Sequence, residues 1–239
     1  MNTEQTAFSL LELFRMGGIF MWPLLFFSVA TVAIALERAI FIFRHNLRLN
    51  DMKARVEFHI RRRDITGAQQ YLQTMLRRRM GAGILLALVN RYRLSENRIE
   101  KAAEAEALSR INSLESGFNF LTALGSLSPL TGFLGTVSGM IGAFKSIAEA
   151  TEVNAQIVAN GIYEALITTV FGLIIAIIAM TSHSLFTHIV DKFASEVEIT
   201  CTDLITELAV ASSSARSAIE DKTEFAGETL TSAPAAAQS

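Results

Sequence analysis

The chain has 239 residues, 51% of them apolar, with 21 Lys and Arg against 23 Asp and Glu. Its mean hydropathy of +0.36 is high for a soluble globular protein. A single cysteine, Cys201, excludes an internal disulfide and any multi-cysteine metal site.

Three stretches carry no charge: Met16–Leu36, Ser116–Phe144 and Ala165–Val190. A hydrocarbon core of about 30 Å takes roughly 20 helical residues to cross, and each stretch reaches that length. The pattern predicts an all-α integral membrane protein with three transmembrane helices. A soluble bundle is the alternative, but helices in soluble proteins rarely run beyond about 14 residues without charge.

In chain order, residues 1–17 are a short lead-in and 18–43 the first membrane helix, with Pro23 in its first turns, where a missing N–H costs little. The charges Glu37, Arg38, Arg44 and Arg48 follow this apolar run instead of preceding it, so it reads as a retained helix and not a signal peptide. Residues 44–115 form a basic helical region holding most of the 16 Lys and Arg found between Arg38 and Arg110, including Arg61-Arg62-Arg63 and Arg77-Arg78-Arg79. Basic clusters stay on the cytoplasmic side. The N-terminus is therefore expected in the periplasm and the C-terminus in the cytoplasm. Interleaved acids such as Asp51, Glu57, Asp64 and Glu96 argue against nucleic acid; contact with anionic lipid at the cytoplasmic face is the simpler partner.

Within that region the "GAG" at 81–83 is expected to break the helical pattern. From Ser95, a possible cap, the spacing predicts a helix running without interruption into the second membrane helix, 116–144. A periplasmic loop follows at 145–160, then the third membrane helix at 161–187, a cytoplasmic helical extension at 188–211, and a tail at 212–239 whose Ser, Ala, Thr and acids suggest disorder. Helices two and three are thus expected to extend into the cytoplasm.

On a wheel of about 100° per residue, Gly161, Ala165, Thr168, Thr169, Gly172 and Ala176 share one face of the third helix, with Glu164 at its edge. Pro129, Gly132, Gly135, Thr136, Gly139 and Gly142 share a broad arc of the second. Small faces let membrane helices pack closely. The hydroxyls and the acid ask for more than packing. Thr136 lies nine residues before Lys145 and Thr169 nine after Asn160, so antiparallel helices would bring both to a depth of about 13 Å. An acid at a helix's amino end is favoured by the dipole alone, yet an intramembrane acid is also a functional candidate, since a charge there costs several kcal/mol unless paired or neutralised. His183 projects from the same small face about 28 Å further along, either as a plain interfacial histidine or as part of a proton exit.

"LSPLTGFLGTVSGMIGAF", "NGIYEALITTVFGLIIAI" and "GGIFMWPLLFFSVATVAIALER" together resemble the three membrane helices of the ExbB/TolQ/MotA proton-channel family, closest to ExbB-like members. The resemblance implies an inner-membrane ring, commonly a homopentamer. The ring would surround single-span partners of the ExbD/TolR kind that carry an intramembrane Asp, and would act on a TonB- or TolA-like protein. It assigns Glu164, Thr136 and Thr169 to the proton pathway, with Thr168 beside them, and matches Pro129 to the second-helix proline. Asn160 and Ile178 stand where many members have Pro, Tyr163 where Ala is usual, and His183-Ser184 where Tyr-Asn is frequent. Without a proline at 178 the third helix should be straighter.

The function expected is a proton-channel subunit of an energy-transducing motor coupling the proton motive force to envelope work or outer-membrane transport. A TolQ-like envelope-maintenance subunit and a structural membrane scaffold are the alternatives. A flagellar stator fits less well, having typically four membrane helices. No nucleophile–His–acid set, phosphate loop or metal-ligand spacing is present in the sequence, so neither an enzyme nor a cofactor or metal is expected.

Overall fold

A computed structural model of the chain describes Phe14, residues 17–45, 47–149 and 155–231, with side chains through Val210 apart from Ala155 and Ile157. Most of the lead-in, residues 150–154 of the expected loop and the last residues of the tail lie outside the described residues. Seven helices are described: α1 (Met21–Arg44), α2 (Asn50–Arg61), α3 (Ile65–Met75), α4 (Met80–Asn90), α5 (Glu96–Glu115), α6 (Phe118–Glu149) and α7 (Ala155–Thr231). No strand occurs among the described residues, so the fold is all-α as expected. Three helical stretches, carried by α1, α6 and α7, are long and apolar enough to cross a membrane. The chain divides into two compact units, one of residues through Phe43 with Leu114–Val190, the other of Arg44–Ser113 with the chain from Asp191.

The first unit is a three-helix assembly. α1 opens from a turn in which Gly18 has φ +65 and accepts the Met21 N–H at 3.3 Å. Pro23 sits in the first turn of α1, where no intrahelical partner for its missing N–H is needed. Met21 and Leu24, each 1% exposed, pack on Ile167 and Ile175 of α7. At its other end α1 reaches the start of α6, where a Cβ on Gly117 would lie 3.4 Å from Arg38 Nε. α1 and α7 therefore run the same way, and α6 runs against them.

Gly117 also overturns an expectation. The helix from Ser95 does not run unbroken into the second apolar stretch, because Gly117 adopts φ +89 and ends α5 at Glu115. A left-handed residue just past a helix end is where glycine has the advantage. The Phe120 and Leu121 N–H groups then donate to Gly117 O and start α6. The segment between α6 and α7 is shorter than the expected 145–160 loop, since helix persists to Glu149 and resumes at Ala155. Between Lys145 and Asn160 no Gly or Pro interrupts good helix formers. At the far end helical backbone continues through Thr231, past Ser212, where composition pointed to a tail. Residues 215–231 include Ala, Glu, Ile and Leu and one Gly, none of which forbids a helix.

The second unit is built from α2, α3, α4, α5 and the later part of α7. Leu49, Met52, Val56, Ile60, Leu72, Leu85 and Leu88 form its dry interior. Asp64 caps α3 by accepting the Gly67 N–H at 2.9 Å. The "GAG" at 81–83 is not a break, contrary to expectation: it lies in the first turn of α4, and the interruption falls before Met80. Its glycines serve close approach. A Cβ on Gly81 would stand 3.0 Å from Leu49 Cγ, and one on Gly83 2.5 Å from an Arg110 guanidinium nitrogen. α7 is tied to α2 by polar contacts: Glu196 accepts the Leu49 N–H at 3.0 Å, Lys53 pairs with Asp203, and Arg61 with Glu207 at 2.9 Å. A groove of about 560 Å³ between α5 and α7 is lined by Ala103, Ala107, Leu108 and Cys201, with Glu100 and Glu198 among its polar lining.

Candidate functional site

The α6–α7 contact is a seam of small residues. A Cβ on Gly132 would lie 2.8 Å from Thr168 O, one on Gly139 3.0 Å from Ala165 Cβ, and one on Gly172 2.5 Å from Ser128 O. One on Gly161 would lie 2.6 Å from Ala143 Cβ, and one on Gly135 would overlap Thr168 Oγ1. Residue numbers rise along α6 as they fall along α7, so the pair is antiparallel. With no side chain between them, backbones meet directly, and in lipid it is such packing, not apolar burial, that joins helices. Ala165, Gly172 and Ala176 are buried in the unit, Gly161 half-buried.

Hydroxyls complete the seam. Thr168, 1% exposed, donates to Ala165 O at 2.8 Å and approaches Gly132 O at 3.3 Å. Thr169 donates to the same Gly132 carbonyl at 3.1 Å. On α6, Ser128 donates to Leu124 O at 2.6 Å, Thr131 to Leu127 O at 2.9 Å and Thr136 to Phe133 O at 2.6 Å. Back-bonding of this kind satisfies a hydroxyl inside an apolar helix. A hydroxyl that donates in this way retains the capacity to accept a hydrogen bond.

The broad small arc read on the second helix separates into a buried centre and two flanks. Gly125, Ser128, Gly132 and Gly135 are buried, whereas Pro129 and Thr136, half-buried, lie on one flank and Thr131, Ser138 and Gly142, half-buried to exposed, on the other. Nothing lies within 4 Å of the Cβ position at Gly142. Periodicity cannot separate centre from flanks, because all lie within one arc and only the position of α7 divides them. Gly135 meets Thr168, which puts Thr136 and Thr169, the next residue on each helix, at one level as the spacing suggested. On the bulky side of α6, Leu130, Phe133, Ile141 and Phe144 are between 59% and 64% exposed in this chain. On α7 the bulky side is shared: Leu166, Val170 and Ile177 are exposed, while Ile167 lies under α1.

Glu164 stands half-buried about two and a half turns along α7 from its first residue. Its carboxylate lies against Gly18, a neighbour that sequence reading missed. The Gly17-Gly18 pair ahead of the apolar run signals a turn, but no local pattern tells what that turn covers. His183 is half-buried with its ring edge-on to Phe118 at 5.9 Å, and Phe118 stacks on Phe186 at 6.1 Å. Among the described residues no group of three His, Cys, Asp or Glu side chains is placed to hold a metal.

Residues 67–199, which take in the whole of α6 and the part of α7 bearing Glu164, Thr168 and Thr169, match the MotA/TolQ/ExbB proton channel family. The chain belongs to that family. It is 36% identical over 180 residues to the putative biopolymer transport protein ExbB-like 3 of Synechocystis sp., covering 71% of this chain and 81% of that protein. It is 28% identical over 198 residues to the biopolymer transport protein exbB1 of Vibrio cholerae, covering 80% and 85%. Over a shorter stretch of 74 residues it is 43% identical to the Tol-Pal system protein TolQ of Haemophilus influenzae, covering 31% and 32%. Family and apolar helices together make it a multi-pass membrane protein of the MotA/TolQ/ExbB type.

Proposed function

We propose that this chain is a proton-channel subunit of an energy-transducing motor in the bacterial inner membrane. It is of the ExbB kind and couples the proton motive force to envelope work or outer-membrane transport. The observation that carries the reading is the polar strip beside the seam, Thr136 and Thr169 at one level, with Glu164 at the opposite edge of the small face of α7 towards its start, on otherwise apolar helices. An acid in hydrocarbon costs several kcal/mol unless it meets protein or water. The strip is therefore turned towards a lumen enclosed by several copies, a homopentameric ring in this proposal, and not towards lipid. Within it sit single-span helices of an ExbD/TolR-like partner whose intramembrane Asp is the main proton carrier. Glu164 takes protons at the periplasmic lip, and the Thr136 and Thr169 hydroxyls line the way inward. Thr168, spent on the seam, fixes their level. His183 lies on the side where protons leave, the C-terminus is cytoplasmic, and the basic segment 44–115 meets anionic lipid. Charge changes on the partner drive a TonB- or TolA-like protein.

The test is proton flux in vesicles holding the chain with its single-span partner. Glu164→Gln, and Thr136→Ala with Thr169→Ala, are expected to assemble normally while flux falls at least about tenfold, roughly 1.4 kcal/mol of barrier. Wild-type flux in both variants would leave a structural scaffold as the function. A TolQ-like role is the second reading, favoured by the 43% identity over 74 residues. Restoration of envelope integrity but not of outer-membrane uptake, in cells lacking each system, would select it.

A further inference from the structure

The turn that opens α1 holds one residue position where a side chain would meet two independent obstacles, its own backbone angle and the Glu164 carboxylate, which would have to move aside. Gly18 has φ +65, a region costing an ordinary L residue about 1 kcal/mol or more. The space its Cβ would take is already filled: that atom would overlap Glu164 Oε1 and stand 3.2 Å from Cδ and 3.9 Å from Cγ. All three nearest heavy atoms belong to Glu164. The bare backbone of Gly18 is thus a wall against the carboxylate, on the side of Glu164 facing α1.

The wall is fixed in place. A Cβ on Gly17 would overlap the Met21 side chain, Met21 N–H donates to Gly18 O at 3.3 Å, and Met21 with Leu24 is buried on Ile167 and Ile175. The turn cannot withdraw from Glu164 without lifting the first turns of α1 off α7. Nor can the acid swing towards α1 without meeting the turn. Gly18 lies outside residues 67–199, so it belongs to the part of this chain beyond the family match.

We propose that Gly18 is a positioning residue for Glu164. It sets the direction of the carboxylate and shields it on the α1 side, so that the acid is open only away from α1. The consequence for flux rests on the reading of Glu164 as an ion-handling acid; the steric coupling does not.

The test is a double-mutant cycle on the full chain in vesicles with its partner. The variants are Gly18→Ala, Glu164→Asp and the two together, and the readout is the rate at which a hydrophobic carbodiimide labels residue 164, followed by mass spectrometry. Asp is one methylene shorter and leaves room for the added methyl. Gly18→Ala is expected to change labelling by about fivefold or more with Glu at 164 and by less than about twofold with Asp, a coupling normal for residues in contact. Proton flux should follow the same pattern, with Gly18→Ala causing no further loss beside Asp. Equal effects in both backgrounds, or none in either, would overturn the proposal. Gly18→Asn, which tolerates φ near +60, guards against simple backbone failure. If both Gly18 variants fail to assemble with Glu and assemble with Asp, the coupling holds; if they fail with both, the strain is in the backbone alone and the proposal falls. Wild-type flux in Glu164→Gln would remove the ion-handling reading while leaving the labelling cycle to decide the wall.

Discussion

The Gly132 carbonyl accepts the Thr169 hydroxyl at 3.1 Å across the line where α6 and α7 meet backbone to backbone. Thr168 approaches the same oxygen at 3.3 Å, so a single α6 carbonyl anchors two successive residues of α7. This junction sets the level of the whole polar strip.

Glycines along α6 should therefore differ sharply in their tolerance of a methyl group. A Cβ on Gly132 would press on the backbone of α7, 2.8 Å from Thr168 O and 3.0 Å from Thr169 Cα, neither of which can rotate away. Gly132→Ala is expected to cost about 1–3 kcal/mol, read as a lower unfolding temperature in detergent. Gly142→Ala, with open space around it, should stay within about 0.5 kcal/mol of the parent. Similar losses in both would mean the seam is not closed as described.

Hydroxyl loss at the junction should be mild in stability and large in function. Thr169→Val removes the bond to Gly132 O, worth about 0.6 kcal/mol by the average for interhelical bonds in lipid. The melting temperature should fall slightly while proton flux falls far more. A variant that melts early and conducts normally would assign Thr169 to packing.

Asp64 gives the second unit a pH response. The Gly67 N–H and then the His59 ring hold its carboxyl below the usual carboxylate value. A group whose folded value is depressed contributes stability above its unfolded value, near 3.9, and loses it as pH falls through the lower folded one. Asp64→Asn should melt earlier than the parent at pH 6, and the gap should narrow towards pH 3. A gap independent of pH would remove the charged cap as its source.

Cys201 lies ten residues past Asp191, the first charge after the apolar run, and burial pushes its thiol up to about 11. Compared with a free thiol near 8.5, the thiolate at pH 8 is roughly two hundredfold scarcer. Maleimide should label the folded chain slowly and the denatured chain at once. Rapid labelling of the folded protein would show the α5–α7 groove opening wide enough to release the side chain.

Much of the architecture was legible because it is local. Charge-free length placed three membrane helices, and wheel periodicity found small faces on the two that pair. What escaped depends on a neighbour. Gly117 and the glycines at 81 and 83 look alike in sequence, yet Gly117 breaks the chain at φ +89 while Gly81 and Gly83 sit inside α4 against Leu49 and Arg110. Helix propensity is silent on which case applies. The same holds for the α6 arc, divided between Gly135 and Thr136 by where α7 lies, and for Gly18, whose partner stands more than a hundred residues away.

The seam also has an entropic consequence. Gly and Ala have almost no rotamer freedom to lose, so shutting α6 on α7 freezes hardly any side-chain motion. The outward Phe133, Ile141 and Phe144 keep theirs. The α6–α7 pair is thus a stiff two-stave plank with a pliant outer surface, suited to slide against whatever adjoins it without coming apart within.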